Sequence, residues 1–369
     1  MKNIKTSTET EPGFGKTLRD DLRRGDIGRT MHRDFKDLKE FFLDDNRKAQ
    51  LGEMRRFKRW VFTFVWLLKA LYLKLTPARR LLLIIAILMV ILPHEYSYSG
   101  SKTHLTIETS SFAVFLLLFI LMLELKDKLL AHDELQEGRA VQTALMPERT
   151  PAIPGWSVWL FTRTANEVGG DLVDLQSLDA GRFRISLADV SGKGLKAALF
   201  TAKLQATIRA LSPDVPALSD VATKLNRIFY RDSLRNFFAS VVCIELSSDN
   251  GSVHMVNAGH LPPILIKNSA IEETRKGDPA IGIFPKTAYS VQEVELEHGE
   301  ILFVYSDGLT EAKNEQGEFF GQQRLTDLLP KASLLNAQEI GEMIVANVDR
   351  FTGEARVYDD LSMVILKRV

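Results

Sequence analysis

The sequence contains one cysteine and no excess of either charge. Cys243 is the only cysteine in 369 residues, which excludes an internal disulfide and a zinc site built from several cysteines. The 47 basic residues balance the 47 acidic ones, so the overall charge gives no sign of a nucleic-acid-binding protein. A hydrophobic content of 45% is ordinary for a chain that folds, and the length suggests two structural units.

The sequence also lacks an unbroken apolar run long enough to cross a membrane. The runs Leu81–Leu92 and Phe112–Leu123 have twelve residues each, whereas a spanning helix needs about 20. Uncharged flanking residues lengthen both runs, so we predict transmembrane helices at about 81–99 and 107–125. Basic residues outside this hairpin place both of its ends in the cytoplasm. A buried helical pair in a soluble sensor domain is the alternative.

The stretch before these runs is basic. Ten Lys or Arg and a single acid, Glu53, lie between Arg47 and Arg80. Residues 57–75 mix aromatic, aliphatic and basic side chains, which predicts an amphipathic helix on the anionic inner leaflet. The membrane region is thus predicted at 57–126, with membrane lipids as a partner, after a polar basic N-terminal arm at 1–56.

A linker helix is predicted at 127–150. The segment is rich in Leu, Ala, Glu and Gln, and Pro147 stops the helix. Such a helix is either a signalling lever or a plain spacer. The lever interpretation motivates the hypothesis of a homodimer formed through residues 110–150.

Four short acidic motifs stand in the last part of the chain, residues 151–369. Each places a carboxylate beside Gly, Ser or another Asp at the edge of an apolar run that has the character of a strand. Carboxylates gathered from several strand ends form an oxygen-only site, which suits hard divalent cations. The motifs therefore predict a metal-dependent hydrolase. In order they are Val168–Asp174, Asp189–Gly194, Tyr305–Gly308 and Asp359–Ser362.

The spacing of the apolar runs predicts an α+β fold. Short runs are separated by turn residues such as Ser248–Gly251, which is a strong hairpin signal. Two longer stretches, Gly194–Leu211 and Leu218–Leu234, have helical spacing. Hairpins with helices inserted in pairs indicate antiparallel sheets faced by helices, in contrast to an alternating parallel fold.

In this order, the motifs resemble the bacterial SpoIIE/RsbU-type serine phosphatases, a branch of the metal-dependent PPM superfamily. The resemblance runs from about residue 130 to the C-terminus. It includes further segments of the chain, namely Leu135–Pro147, Asn257–Pro263, Gly282–Phe284, Asp307–Ala312 and Phe320–Gly321.

The resemblance implies a central β-sandwich of two antiparallel sheets flanked by helices. It also implies hydrolysis of phosphoserine or phosphothreonine with two Mn²⁺ or Mg²⁺ ions that activate a water molecule. Asp189 would bridge both ions, with the backbone carbonyl of Val190 completing one shell, and Asp189 and Asp307 are the predicted catalytic residues. The other implied ligands are Asp171, Asp307 and Asp359, with Asp360 able to exchange roles with Asp359.

As substrate, the resemblance implies a phosphorylated regulatory protein such as an anti-sigma-factor antagonist. Together with the predicted membrane region, it places the chain at the bacterial inner membrane with its catalytic domain in the cytoplasm. A catalytically silent receptor or scaffold that keeps the fold is the alternative.

Several residues near the motifs allow two interpretations. Ser191 stands where many relatives have His, so the proton for the leaving group falls to water or to the substrate's surroundings. Arg163 and Lys193 either hold phosphate or are solvated, and we favour solvation. Asp174 either supports the site or is a solvated turn residue. For His260 we favour a tight structural turn over catalysis.

Overall fold

The structure is a computed structural model. It describes a few isolated residues before 42 and then residues 42–369, except 53, 93, 94, 100–103, 179, 180, 216, 233–236, 249, 268 and 269. Most of the predicted N-terminal arm, residues 1–56, therefore lies outside the described residues. The chain divides into two compact units, 1–128 and 129–369, with the division falling inside one long helix.

The N-terminal unit consists of helices and one hairpin. Arg79 donates hydrogen bonds to the carboxylates of Glu124 and Asp127, each with an N···O distance of 2.6 Å. These ion pairs join two helices that are separated in sequence by the hairpin. The elements are α1 (Asp45–Gly52), α2 (Arg56–Lys74), α3 (Pro77–Ile91), β1 (Glu95–Ser99), β2 (His104–Glu108) and the beginning of α4 (Thr109–Leu145).

The predicted transmembrane helices differ from this structure. Helix α3 has 15 residues, about 22 Å at 1.5 Å per residue, and strand β1 occupies 95–99, so the predicted helix at 81–99 is wrong. In the sequence, Pro93 comes two residues before this strand, in which Tyr and Ser alternate with the period of a strand. One helix, α4 (Thr109–Leu145), covers most of the second predicted span, 107–125, and of the linker helix, 127–150. Residues 107 and 108 belong to β2, and the helix ends before residue 146. Nowhere in the described part of the chain is a helix both long and apolar enough to cross a membrane.

The C-terminal unit contains two five-stranded antiparallel sheets. The first has the order β10-β7-β6-β5-β4, and the second has the order β3-β12-β11-β8-β9. The strands are β3 (Trp156–Arg163), β4 (Asp171–Ser177), β5 (Arg182–Val190), β6 (Ala239–Ser247), β7 (Ser252–Ala258), β8 (Ile264–Lys267), β9 (Ala270–Glu273), β10 (Gln292–Glu295), β11 (Ile301–Tyr305) and β12 (Leu361–Arg368).

Helices cover the outer face of each sheet. Along β5 the side chains alternate, so that Leu187 packs between the sheets while Ala188 packs against the helices. The predicted antiparallel sandwich flanked by helices is confirmed. The first sheet packs on α5 (Leu195–Leu211) and α6 (Leu218–Asp232), and the second on α8 (Gly321–Leu328), the 3₁₀ helix Leu329–Leu334 and α9 (Ala337–Thr352).

Strand pairing gathers the acidic motifs at one end of the sandwich. Asp171 begins β4 and pairs with Asp189, near the end of β5. In the second sheet, Asp307 follows β11 and begins the short helix α7 (Asp307–Thr310), while Asp359 precedes β12. Because β11 and β12 are antiparallel neighbours, the end of one lies beside the start of the other.

Candidate active site

Asp171 is a buried carboxylate with an unpaired oxygen. It is 6% exposed, and its Oδ2 has no hydrogen-bond partner among the described residues. Burial raises the pKa of Asp171 well above its usual range, and the charges of Asp189 and Asp360 raise it further. Hydrogen bonds from Ser362 and Ser306 act in the opposite direction. A buried carboxylate without a counter-charge is unfavourable, so this oxygen is suited to a cation.

Asp189 and Asp307 lie in the same negative field. Burial raises the pKa of Asp189 to about 7, with further contributions from Asp307, Asp359 and Asp360. Burial, followed by the charge of Asp359, also raises the pKa of Asp307. Lys193 lowers the pKa of both carboxyls, but burial and repulsion outweigh its effect. The cluster therefore carries more negative charge than its surroundings compensate.

Asp360 holds the loop that leads into β4. Its Oδ1 accepts a hydrogen bond from the backbone N–H of Ala165 at 2.7 Å. Its Oδ2 accepts from the N–H groups of Gly170 at 2.6 Å and Asp171 at 3.3 Å. Both carboxylate oxygens of Asp360 thus accept hydrogen bonds from the segment that leads into β4. These bonds connect the second sheet, where β12 follows Asp360, to the first.

Asp359, the neighbouring residue, has a different environment. Its side chain is 42% exposed, and its Oδ2 accepts a hydrogen bond from Lys193 Nζ at 2.8 Å. Lys193 Nζ also donates to the backbone carbonyl of Tyr358 at 2.6 Å. The two adjacent aspartates, which the sequence could not rank, are therefore distinct. Asp360 accepts hydrogen bonds from the backbone of a distant loop, whereas Asp359 is partly exposed and pairs with Lys193.

Two glycines let backbone atoms approach the carboxylates closely. A Cβ at Gly169 would lie 2.5 Å from Asp360 Oδ2, which is closer than any side chain permits. A Cβ at Gly170 would lie 3.0 Å from the carbonyl oxygen of Val190. The Gly169–Gly170 pair therefore fits a space between Asp360 and the Val190 carbonyl that a larger residue would fill.

These residues fit an oxygen-bound divalent cation. Asp189, Asp359 and Asp360 line one pocket, together with Gly170 and Lys193. Every candidate donor is oxygen, which suits Mg²⁺ or Mn²⁺ better than zinc or copper. Among the described residues, however, no three Asp, Glu, His or Cys side chains lie close enough together to bind one metal ion. The carboxylates share one electrostatic environment, and their assignment as ligands stays a prediction.

Helix α4 contacts this loop through one amide. Gln142 Nε2 donates to the carbonyl of Gly169 at 3.0 Å, and its Oε1 accepts from the N–H of Gly169 at 3.1 Å. The side chain thus satisfies both backbone groups of a residue next to the acidic cluster. No local sequence pattern predicts this contact, because one Gln in a helix does not identify a partner 27 residues later.

The remaining residues considered in the sequence have structural partners. Asp174 is buried and accepts hydrogen bonds from Arg209, so its interpretation as a solvated turn residue is wrong. Arg163 pairs with Asp349 at 2.8 Å. The Ser191 hydroxyl accepts from the backbone N–H of Phe238 at 3.0 Å.

Comparison with known proteins identifies the family. The sequence profile of the family described as Stage II sporulation protein E (SpoIIE) matches residues 179–369, which is more than half of the chain. The chain belongs to the SpoIIE family. The matched residues include Asp189, Asp307, Asp359 and Asp360.

Several curated proteins are similar to part of this chain. Protein IcfG of Synechocystis is 26% identical over 263 residues, which is 64% of this chain and 41% of IcfG. Phosphoserine phosphatase RsbU of Bacillus subtilis is 24% identical over 64% of this chain and 70% of its own length. The chain therefore spans less than half of IcfG and about two thirds of RsbU.

Solved structures show the same fold. The SiaA-PP2C domain of Pseudomonas aeruginosa has a TM-score of 0.58 at 20% identity, covering 65% of this chain and 98% of that domain. The RsbU and RsbW domains of Rv1364c from Mycobacterium tuberculosis have a TM-score of 0.52 at 22% identity, covering 59% of this chain and 61% of that one. At these identities the solved structures show the fold alone, and that fold agrees with the match to the SpoIIE family.

Proposed function

We propose that this chain removes phosphate from phosphoserine or phosphothreonine on a regulatory protein, using two divalent cations. The observation that carries the proposal is the buried acidic cluster at the strand ends, in which the pKa values of Asp171, Asp189 and Asp307 are all raised. Folding concentrates this charge at one end of the sandwich, and bound cations would compensate it.

The side chains have separate roles in the proposed mechanism. Asp171, Asp189, Asp307 and Asp359, with the Val190 carbonyl, would hold the ions. When bound, a pair of Mn²⁺ or Mg²⁺ ions supplies an activated water and neutralises charge on the phosphoryl oxygens.

Lys193 and Ser191 lie close to the acidic cluster, and they differ in what they can offer the reaction. Lys193 is 57% exposed beside Asp359, where its ammonium group can attract the substrate's phosphate. The Ser191 hydroxyl is held by the Phe238 N–H, and a serine hydroxyl is not acidic near neutral pH. The leaving group is therefore expected to take its proton from water or from the substrate's own surroundings.

The substrate class follows from the relatives. RsbU and RsbP of Bacillus subtilis are both named phosphoserine phosphatases. We propose a phosphoserine regulator of the same kind here, such as an anti-sigma-factor antagonist. The choice between Mn²⁺ and Mg²⁺ belongs to the same proposal and is decided by titration.

Attachment of the N-terminal unit to the inner face of the bacterial inner membrane is a further part of the proposal, with the catalytic unit in the cytoplasm. Helix α2 supports it, because Phe57, Trp60, Phe64 and Leu68 share one face and are each at least half exposed. Basic residues at 56, 58, 59 and 69 would attract anionic lipid. A homodimer through residues 110–150 also remains a proposal.

Sedimentation with vesicles tests membrane attachment. The full chain is expected to sediment with vesicles containing phosphatidylserine and to remain in solution with phosphatidylcholine vesicles. The double variant Trp60→Ser/Phe64→Ser should bind less. Equal binding of both proteins, or none by either, would contradict attachment through α2.

The proposed homodimer is tested by light scattering of the full chain without vesicles, where the mass of a monomer would contradict it.

Phosphatase activity is tested on the full chain with a phosphorylated antagonist protein and with p-nitrophenyl phosphate. We expect hydrolysis of both to require Mn²⁺ or Mg²⁺, and Asp189→Asn to abolish it. Asp214→Asn, at an exposed position in the loop after α5, is the matched control and should keep full activity. If the folded, metal-loaded chain hydrolyses neither substrate, and Asp189→Asn leaves cellular signalling unchanged, the silent-scaffold alternative is correct.

A further inference from the structure

The turn between β7 and β8 crosses from one sheet to the other beside the acidic cluster. β7 ends at Ala258 in the first sheet, and β8 begins at Ile264 in the second. His260, in the middle of this turn, is 8% exposed. A histidine placed between two sheets at this position can act on both of them.

The imidazole ring of His260 makes one hydrogen bond to each sheet. Its Nε2 lies 3.0 Å from the backbone carbonyl of Tyr305 in β11, and its Nδ1 lies 2.8 Å from the hydroxyl of Ser240 in β6. A carbonyl can only accept, so Nε2 carries the hydrogen and Nδ1 accepts from the Ser240 hydroxyl. Burial lowers the pKa of His260 to about 4, which keeps this neutral form near neutral pH.

The backbone carbonyl of Tyr305, in the second sheet, requires a hydrogen-bond donor such as His260 Nε2. The ladder between β8 and β11 ends at the pair Ile264 and Phe303. Extending the register would set Pro262 opposite Tyr305, and proline has no N–H to offer. Tyr305 is buried, and a buried carbonyl without a donor is unfavourable. The His260 ring supplies the hydrogen bond that the strand cannot.

The turn holds the ring in this orientation. Asn257 Oδ1 accepts from the N–H of His260 at 2.8 Å, and Asn257 Nδ2 donates to the carbonyl of His260 at 3.2 Å. Gly259 has a φ of +75°, and a Cβ there would lie 2.6 Å from Ala280. The backbone on both sides of His260 is therefore fixed, and the imidazole has little freedom to leave the space between the sheets.

Both strands that the ring contacts lead to predicted metal ligands. Ser240 is the direct partner of Asp189 in the ladder between β5 and β6. Tyr305 comes two residues before Asp307. Because Asp189 lies in the first sheet and Asp307 directly follows a strand of the second, their separation depends on how the sheets are held together at this end. Asp360 joins the sheets through Gly170, and His260 joins them through another pair of strands.

We propose that His260 is a positioning residue that fixes the separation of Asp189 and Asp307. Its ring joins the strand beside Asp189 in the first sheet to the strand that ends before Asp307 in the second. This role rests on the proposed metal site and adds to it a residue that touches neither the ions nor the substrate. Partners that orient metal ligands typically change metal affinity by about 10- to 100-fold when they are removed.

Calorimetric titration of the full chain with Mn²⁺ tests the proposal without measuring catalysis. We expect His260→Ala to weaken Mn²⁺ binding by about 10- to 100-fold. His260→Gln places an amide near the Nε2 position, and His260→Asn places one near Nδ1, so each should recover part of the lost affinity. The control His254→Ala removes an exposed histidine on β7 and should bind Mn²⁺ as the unmodified chain does.

Folding is checked separately by urea denaturation with EDTA present. If His260→Ala does not fold, Ser240→Ala breaks one of the two ring contacts and should weaken Mn²⁺ binding by about threefold to tenfold. Folded His260 and Ser240 variants that bind Mn²⁺ within twofold of the unmodified chain would overturn the positioning role alone. Absence of Mn²⁺ uptake by the unmodified chain would instead overturn the proposed function, which separates the two failures.

Discussion

Strand β4 carries two buried aspartates whose surroundings are opposite in character. Asp174 accepts hydrogen bonds from Arg209 at 2.6 and 3.0 Å and from Gln205 at 3.0 Å. Asp171, three residues earlier, has an oxygen without a hydrogen-bond partner in the described part of the chain and a raised pKa. An odd spacing in a strand sends the two side chains to opposite faces, one toward α5 and the other toward the second sheet.

The difference separates a structural carboxylate from a functional one. A buried charge is tolerated when a fixed partner neutralises it, as Arg209 does for Asp174. Asp171 instead adds to a group of like charges that includes Asp189 and Asp360. Such an arrangement lowers the stability of the fold by itself, and it is typical of sites that bind a cation.

The largest expected effect is on catalysis. Asp171→Asn removes a charge from the cluster and should lower kcat/KM by about 100- to 1,000-fold, because weaker metal binding loses several kcal/mol of transition-state stabilisation. Asp174→Asn should stay within about threefold of the unmodified chain. Steady-state hydrolysis of p-nitrophenyl phosphate measures both variants at one fixed Mn²⁺ concentration, just sufficient to saturate the unmodified chain, and equal losses would remove the distinction between the two aspartates.

The second prediction concerns pH in the absence of metal. The pKa of Asp189 is about 7 in the folded chain, against an ordinary value of 3.8. The folded state therefore binds more protons than the unfolded state between about pH 4 and 7, so stability falls as pH rises through that range. Asp189 alone accounts for about 4 kcal/mol of this loss, since each pKa unit corresponds to about 1.4 kcal/mol. The raised pKa values of Asp171 and Asp307 add to it.

Urea denaturation with EDTA from pH 4 to 7.5 measures this loss. Asp189→Asn should flatten the curve, and saturating Mn²⁺ should raise stability at neutral pH, since the ion binds the folded state. A metal-free stability that rises with pH over this range would contradict the charge distribution inferred for the cluster.

The sequence could predict that the acidic motifs lie at strand ends, while their role as metal ligands stays a prediction. Alternating apolar residues mark β5, and a continuous apolar run marks β11. Antiparallel pairing then places Asp189 beside Asp171 and places the end of β11 beside the start of β12. The sequence could not rank Asp359 against Asp360. Their difference depends on the backbone of Ala165 and Gly170, which lies nearly 200 residues away in the chain.

Other elements could not be predicted from the sequence because their residue pattern is weak. The edge strand β10 has the sequence Gln-Glu-Val-Glu, which carries one apolar residue and no clear period. The predicted span at 81–99 failed for a related reason. Its apolar composition was extended through residues that alternate with the period of a strand, and this structure has a hairpin there. The positions of Gln142 and His260 depend on tertiary contacts that no local pattern encodes.

A smaller effect is expected on the free energy of unfolding when Asp174 is replaced. Asp174→Asn should lower the free energy of unfolding by about 2 kcal/mol, because it removes the charge that pairs with Arg209. The value lies below that of a fully buried pair since the Arg209 side chain is 40% exposed. Asp171→Asn should be neutral or stabilising in EDTA. Urea denaturation measures both, and a larger loss for Asp171→Asn would reverse the assignment.

The smallest effect is expected at Lys193, whose ammonium group is the one cation in contact with Asp359 in the described residues. Lys193→Met should strengthen Mn²⁺ binding about twofold to fivefold, because it removes a positive charge that repels the ion and holds Asp359. Exposure of the side chain keeps the effect small, and 0.5 M salt should reduce it further. Lys196→Met, on the first turn of α5, is the control. Weaker Mn²⁺ binding by Lys193→Met would instead mean that Lys193 orders Asp359 for the ion, which would place it with Arg209 among the structural partners.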